Sequence, residues 1–91
     1  MIRLKLFTKP DCPNCPQAKL LIDEIEHENL SDVVIERYDV STLDGLTEAT
    51  FYTVQATPSI LLVDENGTEK MGWRGEVPTK TVMYSLVGHE H

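Results

Sequence analysis

The chain opens on an alternation in which Ile2, Leu4 and Leu6 are apolar and Arg3 and Lys5 between them are basic, before Phe7 leads into Thr8-Lys9-Pro10-Asp11. A period of two predicts a strand over Ile2 to Phe7, and the polar, proline-containing stretch after it predicts a loop. From Ala18 the period changes. Ala18, Leu21, Ile22 and Ile25 recur at helical spacing, with Lys19, Asp23, Glu24 and Glu26 on the other face, so an amphipathic helix is expected that fades near His27 to Asn29. Val33 to Tyr38 reads as a second strand, and the short Asn29 to Asp32 link after a helix points to a parallel βαβ unit. Ser41 or Thr42 caps an expected second helix, whose apolar residues Leu43, Leu46 and Ala49 follow at three-residue steps to about Thr53. Ile60 to Val63, then Asp64-Glu65-Asn66-Gly67, then Thr68 to Trp73 form an expected β-hairpin, with Asn66 and Gly67 supplying the positions that tolerate positive φ. Pro78 then starts a last helix carrying Val82, Met83, Leu86 and Val87 and closed by Gly88. The order is βαβαββα, an α/β class of fold.

Ninety-one residues are enough for one core, so a single domain is expected over 1–88, with 89–91 as a frayed tail. Apolar residues make up 41% and charged residues 25%, the proportions of ordinary globular proteins. No apolar run approaches the roughly 20 residues needed to cross a bilayer, and the first residues alternate instead of forming a signal-peptide core. A cytoplasmic monomer with no membrane partner is expected. Eight basic residues against fifteen acidic ones leave a charge of -7, which repels phosphate backbones and argues against nucleic acid as a partner. The two cysteines lie only three residues apart, so a bridge between them removes little entropy from the unfolded chain and makes a poor staple. Redox chemistry or metal binding explains such a pair better.

A thiol attacks a disulfide only as the thiolate, and at its ordinary pKa of about 8.5 it is only a few per cent ionised at neutral pH. With Cys12 as helix N-cap, Pro13 falls at the first helical position and Cys15 at the third, so the Cys12 sulfur meets free backbone N–H groups and the positive end of the helix dipole. Lys9 favours the thiolate and Asp11 opposes it. Pro16 complicates this placement, because it deprives the Cys12 carbonyl of its i to i−4 bond, so that the helix effectively begins at Pro16 with Cys15 as cap, which weakens the activation of Cys12. Zinc would need four ligands, and no third cysteine exists. His27 is twelve helical residues from Cys15, about 18 Å away, which leaves only His89 and His91 or a second chain.

A strand, Cys12-Pro13-Asn14-Cys15, a helix, and Thr57-Pro58 before the hairpin together resemble the thioredoxin-fold redox proteins, especially the small glutaredoxin-like and thioredoxin-like members. The resemblance covers nearly the whole chain and implies a four-stranded mixed sheet flanked by helices. It also implies a cis Pro58 packed beside the disulfide, a Thr57 that offers its backbone to an extended substrate segment, and a Gly75 that lines the substrate groove or serves as a plain turn glycine. The pattern departs at Asp11, where thioredoxins usually carry tryptophan, and at Leu6, where they carry a buried carboxylate. Asn14 stands where glutaredoxins usually have tyrosine, and Gly72-Trp73-Arg74-Gly75-Glu76 stands in place of their glutathione-binding segment, so only Lys9 fits that pattern. Trp73 reads as a half-buried strand residue, and the acidic row from Asp23 to Glu28 as a solvated helix face. The expected function is reduction of protein disulfides by Cys12, resolved by Cys15 and recharged by a reductase or a small thiol, with no cofactor. The alternatives are a glutaredoxin-like module holding a metal or iron-sulfur cluster through Cys12, and a dedicated electron donor to one reductase.

Overall fold

The structure is a computed structural model that describes residues 1–28 and 32–87, so the expected helix stop at Gly88, the tail at 89–91 and most of the 29–32 link lie outside the described residues. The elements follow the expected order: β1 (Ile2–Thr8), α1 (Cys15–His27), β2 (Val33–Asp39), α2 (Leu43–Phe51), β3 (Ser59–Val63), β4 (Glu69–Arg74) and α3 (Lys80–Val87). The strands form one mixed sheet in the order β2-β1-β3-β4. β1 runs parallel to β2 and antiparallel to β3, which pairs antiparallel with β4.

Alternation along the strands divides the core between two faces. Leu4 and Leu6 of β1, with Ile60 and Leu62 of β3, pack on Ala18, Leu21, Ile22 and Ile25 of α1 and on Met83 of α3. On the other face Phe7, Leu61 and Val63 meet Ala49 and Val54, with Tyr38, Val40 and Tyr52 at the margin. Lys5, a basic position of the β1 alternation, is only 5% exposed because α2 covers that face. Its ammonium donates to Glu36 of β2 at 2.5 Å and to Glu48 of α2 at 2.8 Å, and lies 5.3 Å from the centre of the Tyr38 ring. A buried cation requires such partners.

Three local expectations are corrected. The second helix turns Gly45 and Ala49 toward the sheet, while Leu43 and Leu46, expected on that face, are exposed. A Cβ on Gly45 would overlap the Asp39 carbonyl oxygen, so the closest approach of helix to strand needs the residue without one. Thr42 is the cap, its Oγ1 accepting from the Gly45 N–H at 3.1 Å. In the hairpin, only Gly67 takes positive φ (83°), because the connection is a longer loop organised by Asp64 and not a two-residue turn. The Asp64 carboxylate accepts from the N–H groups of Asn66 and Thr68, each at 2.9 Å. The last helix starts at Lys80, with Thr79 Oγ1 accepting from the Val82 N–H at 3.2 Å, and Pro78 is buried two residues ahead of it.

Candidate active site

β1 ends beside β2, where the Val40 N–H donates to the Thr8 carbonyl, and the chain then leaves the sheet through Lys9 and Pro10. Asp11 takes a left-handed conformation (φ 64°), which aspartate tolerates better than most residues. Cys12 and Cys15 follow as a disulfide with their Cα atoms 5.3 Å apart, inside the usual span of such bridges. Cys12 is 8% accessible and Cys15 2%, while Pro13, Asn14 and Pro16 around them are exposed.

Cys12 is not the helix cap. Asn14 is, without a side-chain cap bond, and Cys15 is the first helical residue instead of the third. Pro13 accordingly lies in the turn before the helix, not at its first position. The cause is Pro16, which has no N–H to give the Cys12 carbonyl. That carbonyl accepts instead from the Cys15 N–H at 3.3 Å, and the helical pattern begins with the Ala18 N–H on the Asn14 carbonyl, also at 3.3 Å.

The β1–β3 register sets Ser59 opposite Phe7, so Thr57 and Pro58 lie at the same end of the sheet from which the cysteine loop leaves. The Thr57–Pro58 bond is cis, as the resemblance implies. Gly75 (φ 77°) returns to this place and donates its N–H to the Pro58 carbonyl at 2.9 Å and to Ser59 Oγ at 3.3 Å. Ser59 Oγ donates in turn to the Ala56 carbonyl at 2.6 Å. Among the described residues, no backbone or side-chain group is hydrogen-bonded to the Thr57 main chain. A groove of about 310 Å³ runs from Lys9 past Val40 and Leu46 to Val54, Ala56 and Thr57.

Trp73 pairs opposite Ile60 and packs half-buried on the main core, as a strand residue does. Leu6, at the place of the usual carboxylate, is buried among apolar side chains. Among the described residues, no three histidine, cysteine, aspartate or glutamate side chains gather to hold a metal ion, and His89 and His91 lie outside them. Sequence reasoning missed the groove walls and the Ser59 link between Ala56 and Gly75. The one available signal was the Ser-after-Pro position, where a hydroxyl often bonds nearby backbone.

A cysteine pair at a strand-to-helix junction, beside a cis-proline loop on a mixed four-stranded sheet, defines a thiol-disulfide oxidoreductase of the thioredoxin fold. No protein-family model matches the chain. It is 32% identical over 65 residues to a probable thioredoxin of Archaeoglobus fulgidus, covering 71% of this chain and 69% of that one. It is 33% identical over 61 residues to a thioredoxin of Methanocaldococcus jannaschii, covering 67% and 69%. The solved structure of a mutant thioredoxin from Halobacterium salinarum matches it with a TM-score of 0.78 at 16% identity, over 94% of this chain and 71% of that one. The chain belongs to the thioredoxin family. Disulfide-bearing protein substrates and a reductase partner follow from that membership. Among the described residues, no helix is long and apolar enough to cross a membrane.

Proposed function

We propose that Cys12 is the attacking thiol and Cys15 the resolving thiol of a cytoplasmic, monomeric protein disulfide reductase. The observation that carries this reading is the unequal accessibility of the two cysteines, 8% against 2%, with exposed residues on either side of Cys12. The Cys12 thiolate attacks one sulfur of the substrate disulfide, which breaks, and the other sulfur leaves as a thiolate that takes a proton. Cys15, once deprotonated, attacks the Cys12 sulfur of the mixed disulfide. The second substrate sulfur is released as a thiol, and the two electrons gained by the substrate leave the pair as the Cys12–Cys15 disulfide. A reductase or a small thiol then returns the pair to the dithiol.

Thr57, Pro58 and Gly75 form the substrate shelf in this reading. The unpaired main chain of Thr57 adds an extended substrate segment by strand pairing, and Pro58 and Gly75 hold that shelf through the bond between them. Lys9 and Pro13 flank the reactive sulfur in sequence, one lining the groove and the other fixing the turn. In this reading the described residues act as one domain. Charges on both edge strands, Glu36 and Arg37 on β2 and Glu69, Lys70 and Arg74 on β4, oppose pairing with a second copy. A charge of -7 disfavours nucleic acid and anionic membranes. A reducing compartment keeps the pair ready to donate electrons. Cys12→Ser is expected to abolish reduction of a disulfide-bonded test protein, and Cys15→Ser to accumulate a mixed disulfide at Cys12 on non-reducing gels. The opposite pattern would reverse the two roles.

A further inference from the structure

Everything needed for Cys12 to cap α1 is present except one hydrogen atom. Pro13 would stand at the first helical position, where its fixed φ and missing N–H suit a helix start. Cys15 would stand at the third, where its N–H reaches the side chain of the cap. A helix begun at Cys12 also needs the N–H of residue 16 on the Cys12 carbonyl, and residue 16 is proline. The vacated carbonyl is filled by the Cys15 N–H at 3.3 Å, and the helix begins at Cys15 behind an Asn14 cap. The amide best placed to stabilise a sulfur anion is therefore spent on an oxygen.

We propose that Pro16 is a positioning residue that restrains Cys12, by holding the Cys15 amide on the Cys12 carbonyl and away from the Cys12 sulfur. This rests on the assignment of Cys12 as the attacking thiol. Restraint has a direction: a less stabilised thiolate leaves the dithiol less favoured relative to the disulfide, so the pair is a stronger reductant than the same loop without Pro16. It also leaves the thiolate that does form more nucleophilic. The other charged side chains of the segments meeting here are Lys9 and Asp11 on the loop, Lys19 on α1, and Arg74 and Glu76 around Gly75. Arg74 is already engaged by the Glu69 carboxylate and the Tyr52 carbonyl. All five are the same in wild type and variant, so a comparison of the two isolates the amide.

The test is Pro16→Ala, with Pro16→Ser as a second variant that restores the same N–H if the first folds poorly. The reduced proteins are alkylated with iodoacetamide across pH, and mass spectrometry locates the modified cysteine. The dithiol–disulfide equilibrium is then measured against glutathione above the titration midpoint of Cys12. The expected result is a midpoint lower by about one pH unit, or about tenfold more thiolate below it, and an equilibrium shifted about tenfold toward the dithiol, equivalent to about 30 mV. The new amide at position 16 is expected to be protected from hydrogen exchange. An unshifted Cys12 midpoint and equilibrium in both folded variants overturns the inference, even if their thermal stability changes. Faster labelling of Cys15 than of Cys12 in the wild type overturns instead the assignment on which the inference rests.

Discussion

Two residues without the licence of glycine take left-handed backbone conformations, Asp11 before the cysteines and Thr53 after α2. Thr53 closes the helix: its N–H donates to the Thr50 carbonyl at 3.1 Å, and the Val54 N–H donates to the Ala49 carbonyl at 2.7 Å. These are the two bonds of a Schellman ending, in which the left-handed position is usually glycine. A β-branched residue there is strained by about 1 to 2 kcal/mol. Thr53→Gly is expected to stabilise the protein by about 1 kcal/mol after the greater chain entropy of glycine is counted, read as a higher urea midpoint with an unchanged slope. Neither position was legible in the sequence, because polarity and periodicity carry no sign of φ when the residue is not glycine or asparagine. Cys12, Cys15 and Pro58 were legible because their chemistry is tied to residue type and short spacing.

At the scale of the element, α1 and α2 show when a hydrophobic period is trustworthy. α1 repeats large apolar residues at helical spacing, and Ala18, Leu21, Ile22 and Ile25 are its buried side along with Cys15. Its start was harder to read, since a proline follows each cysteine and only the missing Pro16 N–H decides between the two starts. In α2 the large residues lie outside and the small ones inside, because a helix set this near its strand has room only for Gly45 and Ala49. Gly→Ala within a helix ordinarily stabilises by up to about 1 kcal/mol. Gly45→Ala is expected to do the reverse, costing roughly 2 to 3 kcal/mol as α2 moves off the Asp39 carbonyl. Calorimetry of the variant checks the sign. A stabilised variant would mean that α2 shifts freely.

For the whole molecule, the Lys5 cluster links β1, β2 and α2. Burial disfavours the ammonium, but its bonds to Glu36 and Glu48 outweigh this and raise its pKa above the ordinary lysine value. Burial likewise pushes the Glu36 carboxyl up, yet bonds from Lys5 and Tyr38 and the charges of Lys5 and Arg3 hold it below its ordinary 4.5. The stabilisation from Glu36 is therefore present above pH 4.5 and lost as pH falls through its lower folded value; that from Lys5 is present below pH 10.5 and lost as pH rises through its higher one. Lys5→Met is expected to cost roughly 2 to 3 kcal/mol near neutral pH, less than a fully buried pair because both carboxylates still meet water. It should also flatten the acid side of a stability-against-pH curve, measured by urea unfolding at each pH. The alternation in the sequence showed a strand but not what covers the Lys5 face; the topology that lays α2 over that face arises only from contacts distant in the chain. The place of β1 within the sheet has a further effect. Hydrogen-bonded to β2 on one side and β3 on the other, it cannot separate without breaking two ladders at once, and the cysteine loop hangs from its end. The thiols therefore leave their place only when that central strand does, and on heating, activity and global cooperativity are expected to vanish together.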